Sequence, residues 1–409
     1  MSPYAVLVAA VAVLVAFCCA TRKARGKNSK LPPSPPAIPL FGHLHLLGRL
    51  AHRSLRDLHA RYGSDGGLLL LQLGRRRTLV VSTAAAAADL YKNHDLAFAS
   101  RVLSAPVHKL SYGSINVSFA PYGDAWRRSK KMAVVHLLSQ RRADSFALVA
   151  GVRRAAEAGE AGELRGLLYG YGNAVVTRAA TGAAGATAER MKQLMGNSAA
   201  LMSGLQAEDV LPDAAAKVHL EKKWDDSAGE DDFLDVLLRL REEGTAGLDL
   251  TDDRIISIVQ DMIFAGTETS SITLEWAMAE LTRKPQKMAK LRDEVTRVTN
   301  DKLAIEEDDL SRMEYLKAVL KEVLRLHPPT PLLIPHESTT MSIVQSYEIP
   351  AKTTLFINVW AIGRDPVAWG EGAECWKYAL EAIIKALLLY FLVHDNCLHS
   401  CYNCVIRKS

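Results

Sequence analysis

The segment that most constrains this chain is Ala265-Gly266-Thr267-Glu268-Thr269-Ser270, set inside a long and otherwise apolar stretch. Ile255, Ile256, Ile258, Val259, Met262, Ile263 and Phe264 precede it and fall on all sides of a helix, which predicts a helix running through a core. Thr251 can cap its first N–H groups, Asp252 and Asp253 complement the positive end of its dipole, and Lys284-Pro285 stops it. At 1.5 Å per residue such a helix spans about 50 Å, enough to cross a domain. A glycine inside a helix costs about 1 kcal/mol, and an unpaired buried carboxylate costs more. A fold that carries both in one turn points to chemistry at that turn. Ala265, Glu268, Thr269 and Ile272 stand three and four residues apart and share a face. Gly266 lets something large approach the backbone or lets the helix widen locally. Thr269 can hold a water or an oxygen species, and Glu268 can relay protons to it.

The net charge of +5 is local, because Arg22, Lys23, Arg25, Lys27 and Lys30 alone supply that excess. The remainder is nearly neutral, which excludes a broad nucleic-acid footprint. The first twenty residues are uncharged, and residues 6–20 are all apolar, so this segment reaches the length of a bilayer span. Its positive charges follow the apolar run, whereas those of a cleaved signal precede it. The expectation is a retained anchor over 1–21 with the body on the cytosolic side. A basic stop and a proline-rich hinge follow over 22–39, where Pro32, Pro33, Pro35, Pro36 and Pro39 favour a stiff extended connector. No cysteine occurs between Cys19 and Cys375, so no disulfide framework runs through the body, as suits a reducing compartment.

Helical periodicity dominates beyond the hinge, over 54–62, 83–94 and 125–138, while residues 155–185 are rich in Ala and Gly and read only weakly as helix. Strand-like runs stand at 68–73 with 79–82 and at 353–360. The expectation is a mainly helical domain over 40–374 with a small β portion.

A second motif is Glu322-Val323-Leu324-Arg325, a carboxylate and a guanidinium one turn apart, closed by Leu326-His327-Pro328-Pro329. Both motifs, in this order and at this distance, resemble the cytochrome P-450 family of haem-thiolate monooxygenases, in wording closest to its plant microsomal, A-type branch. The likeness runs over 31–374. It takes in the proline hinge, Phe119-Ala120-Pro121-Tyr122-Gly123 with Trp126-Arg127-Arg128-Ser129-Lys130-Lys131, and Pro335-His336-Glu337-Ser338. It also takes in Ile349-Pro350-Ala351-Lys352-Thr353 and the segment from Asn358 to Pro366.

The resemblance implies the P-450 fold behind an N-terminal transmembrane helix, a haem, and insertion of one oxygen atom from O2 into a small apolar, secondary-metabolite-like molecule. Electrons would come from NADPH through a flavoprotein reductase at the endoplasmic reticulum membrane. Glu268 and Thr269 would deliver protons, Ala265 and Gly266 would line the haem, and Trp126, Lys130 and His336 would seat its propionates. Glu322 and Arg325 would hold the core. Lys130 stands where the family usually has Arg, which keeps the charge and loses the bidentate fork. Arg127, Arg128 and Lys131 would attract the reductase or form a solvated face.

After Trp369-Gly370-Glu371-Gly372-Ala373-Glu374 the family would continue to Pro-Glu-Arg-Phe and then to Phe-x-x-Gly-x-Arg-x-Cys-x-Gly, which holds the iron. Neither occurs in residues 375–409, so the expected metal ligand, the axial cysteine, is absent. This supports an alternative reading, a membrane-anchored, truncated and non-catalytic product of such a gene. Cys397, Cys401 and Cys404 with His394 and His399 lack the paired spacing of a zinc site. Residues 379–393 read as an interfacial helix. The join of Leu211-Pro212-Asp213 to Lys217-Val218-His219 through three alanines also lacks two helices that roof the family's substrate channel.

Overall fold

A computed structural model describes residues 30–39, 41–102, 107–108, 111–133, 164–181, 233–244, 247, 249–300 and 307–369. The expected anchor over 1–21, most of the basic run, the join at 211–219 and the tail over 375–409 lie outside the described residues. Among those described, no helix is long and apolar enough to cross a membrane.

Along the chain run helix α1 (Ala51–Tyr62), strands β1 (Leu68–Leu73) and β2 (Arg76–Val81), helix α2 (Ala84–Asn93) and strand β3 (Ser100–Arg101). Helices α3 (Asp124–Met132), α4 (Leu164–Thr181), α5 (Phe233–Glu243), α6 (Asp252–Arg283), α7 (Pro285–Thr299), α8 (Glu307–Arg312) and α9 (Glu314–Leu326) follow. Strands β4 (His336–Glu337), β5 (Ser342–Val344), β6 (Tyr347–Ile349) and β7 (Thr354–Ile357) precede the short helices α10 (Val359–Ile362) and α11 (Pro366–Trp369). The fold is mainly α with a small β portion, as the periodicity predicts. The chain divides into a sheet unit, Met1–Val102 with Arg325–Ser409, and a helical unit, Leu103–Leu324, with the boundary inside α9.

The sheet unit is built on five strands in the order β1-β2-β7-β4-β3. Strands β1 and β2 pair antiparallel, β2 and β7 run parallel from Thr78 opposite Thr354, and β4 links β7 to β3. Leu68, Leu69, Leu70 and Leu71 are all buried because both sheet faces are covered. One face packs on Leu90 and Phe98, the other on Leu55 and Leu58 of α1. Burial of each such leucine contributes roughly 2 kcal/mol, which fixes the sheet before any site is considered.

The strand expected over 353–360 is shorter, ending at Ile357. Asn358 stops it: its Oδ1 accepts from Ala361 N at 3.1 Å, which caps α10, and its Nδ2 donates to the His52 carbonyl at 2.8 Å. The proline connector carries no helix over residues 32–38 and is tied to this unit. Leu70 N donates to the Pro33 carbonyl at 2.8 Å, and the His43 ring lies 2.9 Å from the Pro35 carbonyl.

In the helical unit α6 runs for 32 residues, and the Thr251 hydroxyl accepts from Arg254 N at its start. Ile255, Ile258, Val259 and Ile263 form a core with Met132, Leu234 and Leu237. The weak helical signal over 155–185 resolves into α4, which lies antiparallel along α6. Leu168 meets Ser271, Asn173 meets Thr267, and Val176 meets Gly266. Two buried polar groups of α6 fix a loop: Ser257 Oγ donates to the Ser111 carbonyl at 3.1 Å, and Asp261 accepts from Ser118 N at 2.9 Å.

Candidate active site

The polar turn of α6 stays α-helical throughout, without local widening. What closely approaches Gly266 is α4, since a Cβ there would stand 3.0 Å from Val176 Cγ2. Thr267 is fully buried on the same side, 3.5 Å from Asn173 Nδ2. Ala265 and Thr269 share the opposite, exposed side. The Thr269 hydroxyl donates to the Ala265 carbonyl at 2.8 Å.

Glu268 is half-buried on the flank that α4 shares. Burial raises its carboxyl above the ordinary carboxylate range, and the Arg165 guanidinium partly offsets this. The same seam pushes the Tyr169 phenol up to about 12, first through burial and then through the Glu268 charge. The shared face expected from spacing thus holds for Ala265 and Thr269, while Glu268 leans toward α4.

On α3, Trp126 is buried and its indole N–H donates to the Val117 carbonyl at 2.8 Å. Lys130 Nζ lies 4.8 Å over that ring, so these two predicted residues meet as a cation–π stack. Of the basic cluster beside them, Arg127 pairs with Asp124 at 3.5 Å and stacks on Tyr122, and Arg128 donates to the Gly247 carbonyl. Lys131 is exposed.

In the sheet unit, His336 of β4 pairs directly with Arg101 of β3. Both are buried, at 3% and 6% exposure, so a guanidinium and an imidazole are packed together away from water. His336 Nδ1 lies 2.7 Å from the Phe98 carbonyl, and Arg101 Nη1 donates to the Ile334 carbonyl at 3.0 Å. Burial, with the Arg101 charge behind it, pushes the imidazole down to about 3, and the Phe98 contact opposes this. His336 is therefore neutral at physiological pH. Sequence reasoning misses Arg101. Its signal is a lone cation in the apolar run from Leu96 to Leu103.

Arg325 donates to the Gly363 carbonyl and stacks 5.0 Å from the Trp369 ring. A Cβ on Gly363 would meet the Arg325 carbonyl oxygen at 2.4 Å, so only glycine admits that approach. Arg325 thus clamps two distant segments of the sheet unit. Glu322, on the α9 turn before it, is buried.

A long core helix with an acid and a hydroxyl at its polar turn, in a mainly helical chain with a five-stranded sheet, is the plan of a haem-thiolate monooxygenase. The chain belongs to the cytochrome P450 family, whose sequence profile matches residues 32–158 and 201–375. It is 38% identical over 385 residues to Cytochrome P450 71A25 of Arabidopsis thaliana, covering 86% of this chain and 77% of that protein. It is 39% identical over 391 residues to 3-hydroxyindolin-2-one monooxygenase of Zea mays (85% and 72% covered). Salviol synthase of Salvia pomifera is 36% identical over 390 residues (87% and 77% covered). These likenesses place the chain in the plant A-type branch. A zebra fish cytochrome P450 solved with progesterone shares the fold, with a TM-score of 0.66 at 23% identity over 84% of this chain and 90% of that one.

The family implies a haem. Taken by itself, the helical unit offers the open side of α6 at Ala265 and Thr269 to a flat apolar face. The donor set does not suit a thiolate-held iron. The described residues contain no cysteine, and Cys375, where the family match ends, is the first after Cys19.

Proposed function

We propose that this chain acts as a monooxygenase on a small apolar plant metabolite, drawing electrons from NADPH through a flavoprotein reductase. Residues 1–21 would hold it at the endoplasmic reticulum membrane. The observation that carries this reading is the polar turn of α6, with Thr269 on the open side and beside it Glu268, whose proton affinity burial raises. Ala265 offers an apolar surface next to the hydroxyl, Thr269 orders a polar group there, and Glu268 takes up and gives back a proton. In the helical unit Trp126 and Lys130, and in the sheet unit Arg101 and His336, would each offer a group to a carboxylate of the cofactor. The names of the maize and Salvia relatives support the substrate class.

A second reading is a membrane-anchored product without turnover. The specific observation in its favour is the absence of any cysteine from residue 20 to residue 374. The ferrous–CO spectrum of the membrane fraction separates the two. A strongly red-shifted Soret band is expected of the monooxygenase, with a sulfur supplied by Cys375, Cys397, Cys401 or Cys404. A haem-free or histidine-type spectrum would overturn it in favour of the second reading.

A further inference from the structure

Strand β1 lies at one edge of the five-stranded sheet, so the N–H groups of its alternate residues point away from β2 and need partners elsewhere. Each finds a different kind. Leu68 N–H donates to the Ser64 hydroxyl at 3.0 Å, and Leu70 N–H to the Pro33 carbonyl at 2.8 Å. Gln72 N–H donates to Nδ1 of His43 at 2.7 Å. The other ring nitrogen, Nε2, lies 2.9 Å from the Pro35 carbonyl. His43 is fully buried, and its own backbone N–H donates to the Gln72 carbonyl at 2.7 Å. One imidazole thus joins the proline connector to the strand edge, in the place where a backbone carbonyl would ordinarily accept.

We propose that His43 is a pH-sensitive latch: the neutral imidazole holds the proline connector on the edge of β1, and a proton on Nδ1 releases it. The hydrogen bonds themselves fix the charge state. A backbone N–H can only donate, so Nδ1 presents its lone pair to Gln72. A carbonyl can only accept, so Nε2 carries the hydrogen toward Pro35. That is the neutral ring in a single tautomer. A second proton has one place to go, Nδ1, where it would meet the Gln72 N–H. The Gln72 bond is then lost and two buried donors face each other, an arrangement that native structures avoid. The proton is accommodated only when ring and strand part, and the connector bonded to the ring parts with them.

Neither β1 nor the connector from Leu31 to Pro39 contains a charged residue. The charged and titratable groups stand on the elements around them. Lys30 pairs with Glu348 at 3.0 Å where the connector meets β6. Asp65 before β1, His45 after the connector, and Arg75 and Arg76 at the turn into β2 are exposed, while Arg77 is half-buried. Helix α1, which covers one face of β1, carries His52, Arg53, Arg56, Asp57, His59 and Arg61. Of the three acids, Glu348 and Asp57 are paired with Lys30 and Arg56, and Asp65 is exposed. Cations therefore outnumber acids around the latch, which adds to the cost of a second proton on the ring.

The inference does not rest on the reading of the α6 turn, and its test needs no cofactor. Hydrogen–deuterium exchange of the full chain is followed across about pH 5 to 8 on peptides spanning residues 68–73, corrected for the intrinsic pH dependence of exchange. Below the ordinary imidazole value of about 6.5, the corrected rate of the outward amides should rise toward tenfold per pH unit, as one linked proton requires. His43→Asn isolates the cause: its Oδ1 takes the place of Nδ1 against Gln72 and cannot be protonated, so the rise should vanish. Peptides over β7 report general unfolding, which His336 also drives, and should exchange more slowly than those of β1 throughout. Exchange of β1 that does not change with pH would overturn the proposal, as would a rise that persists in His43→Asn, or equal exchange of β1 and β7. The parent chain's own pH dependence and the β7 control decide the matter if the variant is unstable.

Discussion

In the sheet unit, the buried base His336 is fixed by the Phe98 carbonyl, and its neighbour Arg101 by the Ile334 carbonyl. In the helical unit, the half-buried acid Glu268 is answered by the charge of a side chain on a neighbouring helix, Arg165. Both groups are driven toward neutrality by burial, His336 by losing its proton and Glu268 by keeping it. These backbone partners stand two residues before β3 and β4, strands paired to each other in fixed register. Side-chain partners can be exchanged one at a time with little change in the core. The first arrangement therefore holds a shape, and the second holds an adjustable proton.

The largest effect that can break this contrast comes from acid. The folded pKa of His336 lies near 3, below the ordinary value of 6.5. A depressed pKa contributes stability present above the ordinary value and lost as pH falls through the window between the two. Acidification from about pH 7 to 4 should cost the sheet unit on the order of a few kcal/mol, read from urea midpoints. His336→Gln should flatten that slope, and an unchanged slope would show that His336 is not the titrating group.

Next in size is Gly363→Ala. Its Cβ would meet the Arg325 carbonyl oxygen at 2.4 Å, and backbone on both sides leaves nothing free to move. A loss of about 2–3 kcal/mol in equilibrium unfolding is expected. Gly266→Ala sharpens the comparison, because its Cβ would meet only the side-chain tip of Val176 at 3.0 Å. Alanine also gains about 1 kcal/mol of helix propensity, so the net change should stay within about 1 kcal/mol. A loss as large as that of Gly363→Ala would mean that α4 is as rigidly seated as the sheet.

Smallest is Thr269→Ala, an exposed change on a helix, which should raise stability by a few tenths of a kcal/mol. In a version of the protein with the family's cysteine loop restored, it should nevertheless uncouple oxygen consumption from product formation. Equal coupling with the parent would reduce Thr269 to a helix-surface residue.

The elements legible in the sequence are those whose signals are local. Thr251 and Lys284-Pro285 bound α6 because caps and stops act within one turn. The leucine run of β1 announces a strand covered on both faces. Helix α4 is hard to read because it has no apolar stripe. Its small residues serve close approach instead: a Cβ on Gly172 would stand 2.9 Å from Ser271 Oγ. With α4 indistinct, the neighbours of Glu268 are hidden as well. Arg101 is missed for another reason, since the strand that explains it lies more than two hundred residues away. Asn358 reads as part of a strand until its side chain is seen to cap the next helix.

The hydroxyl of Thr269 has one hydrogen, and α6 has already spent it on the Ala265 carbonyl. What the residue offers outward is a pair of electron lone pairs. It therefore acts as a one-way valve: a polar guest on the open side must arrive carrying its own hydrogen. For Thr269 to donate instead, its side chain would have to rotate and abandon the helix bond. Traffic in the reverse direction thus carries a small fixed toll of about 1 kcal/mol, set by the helix itself.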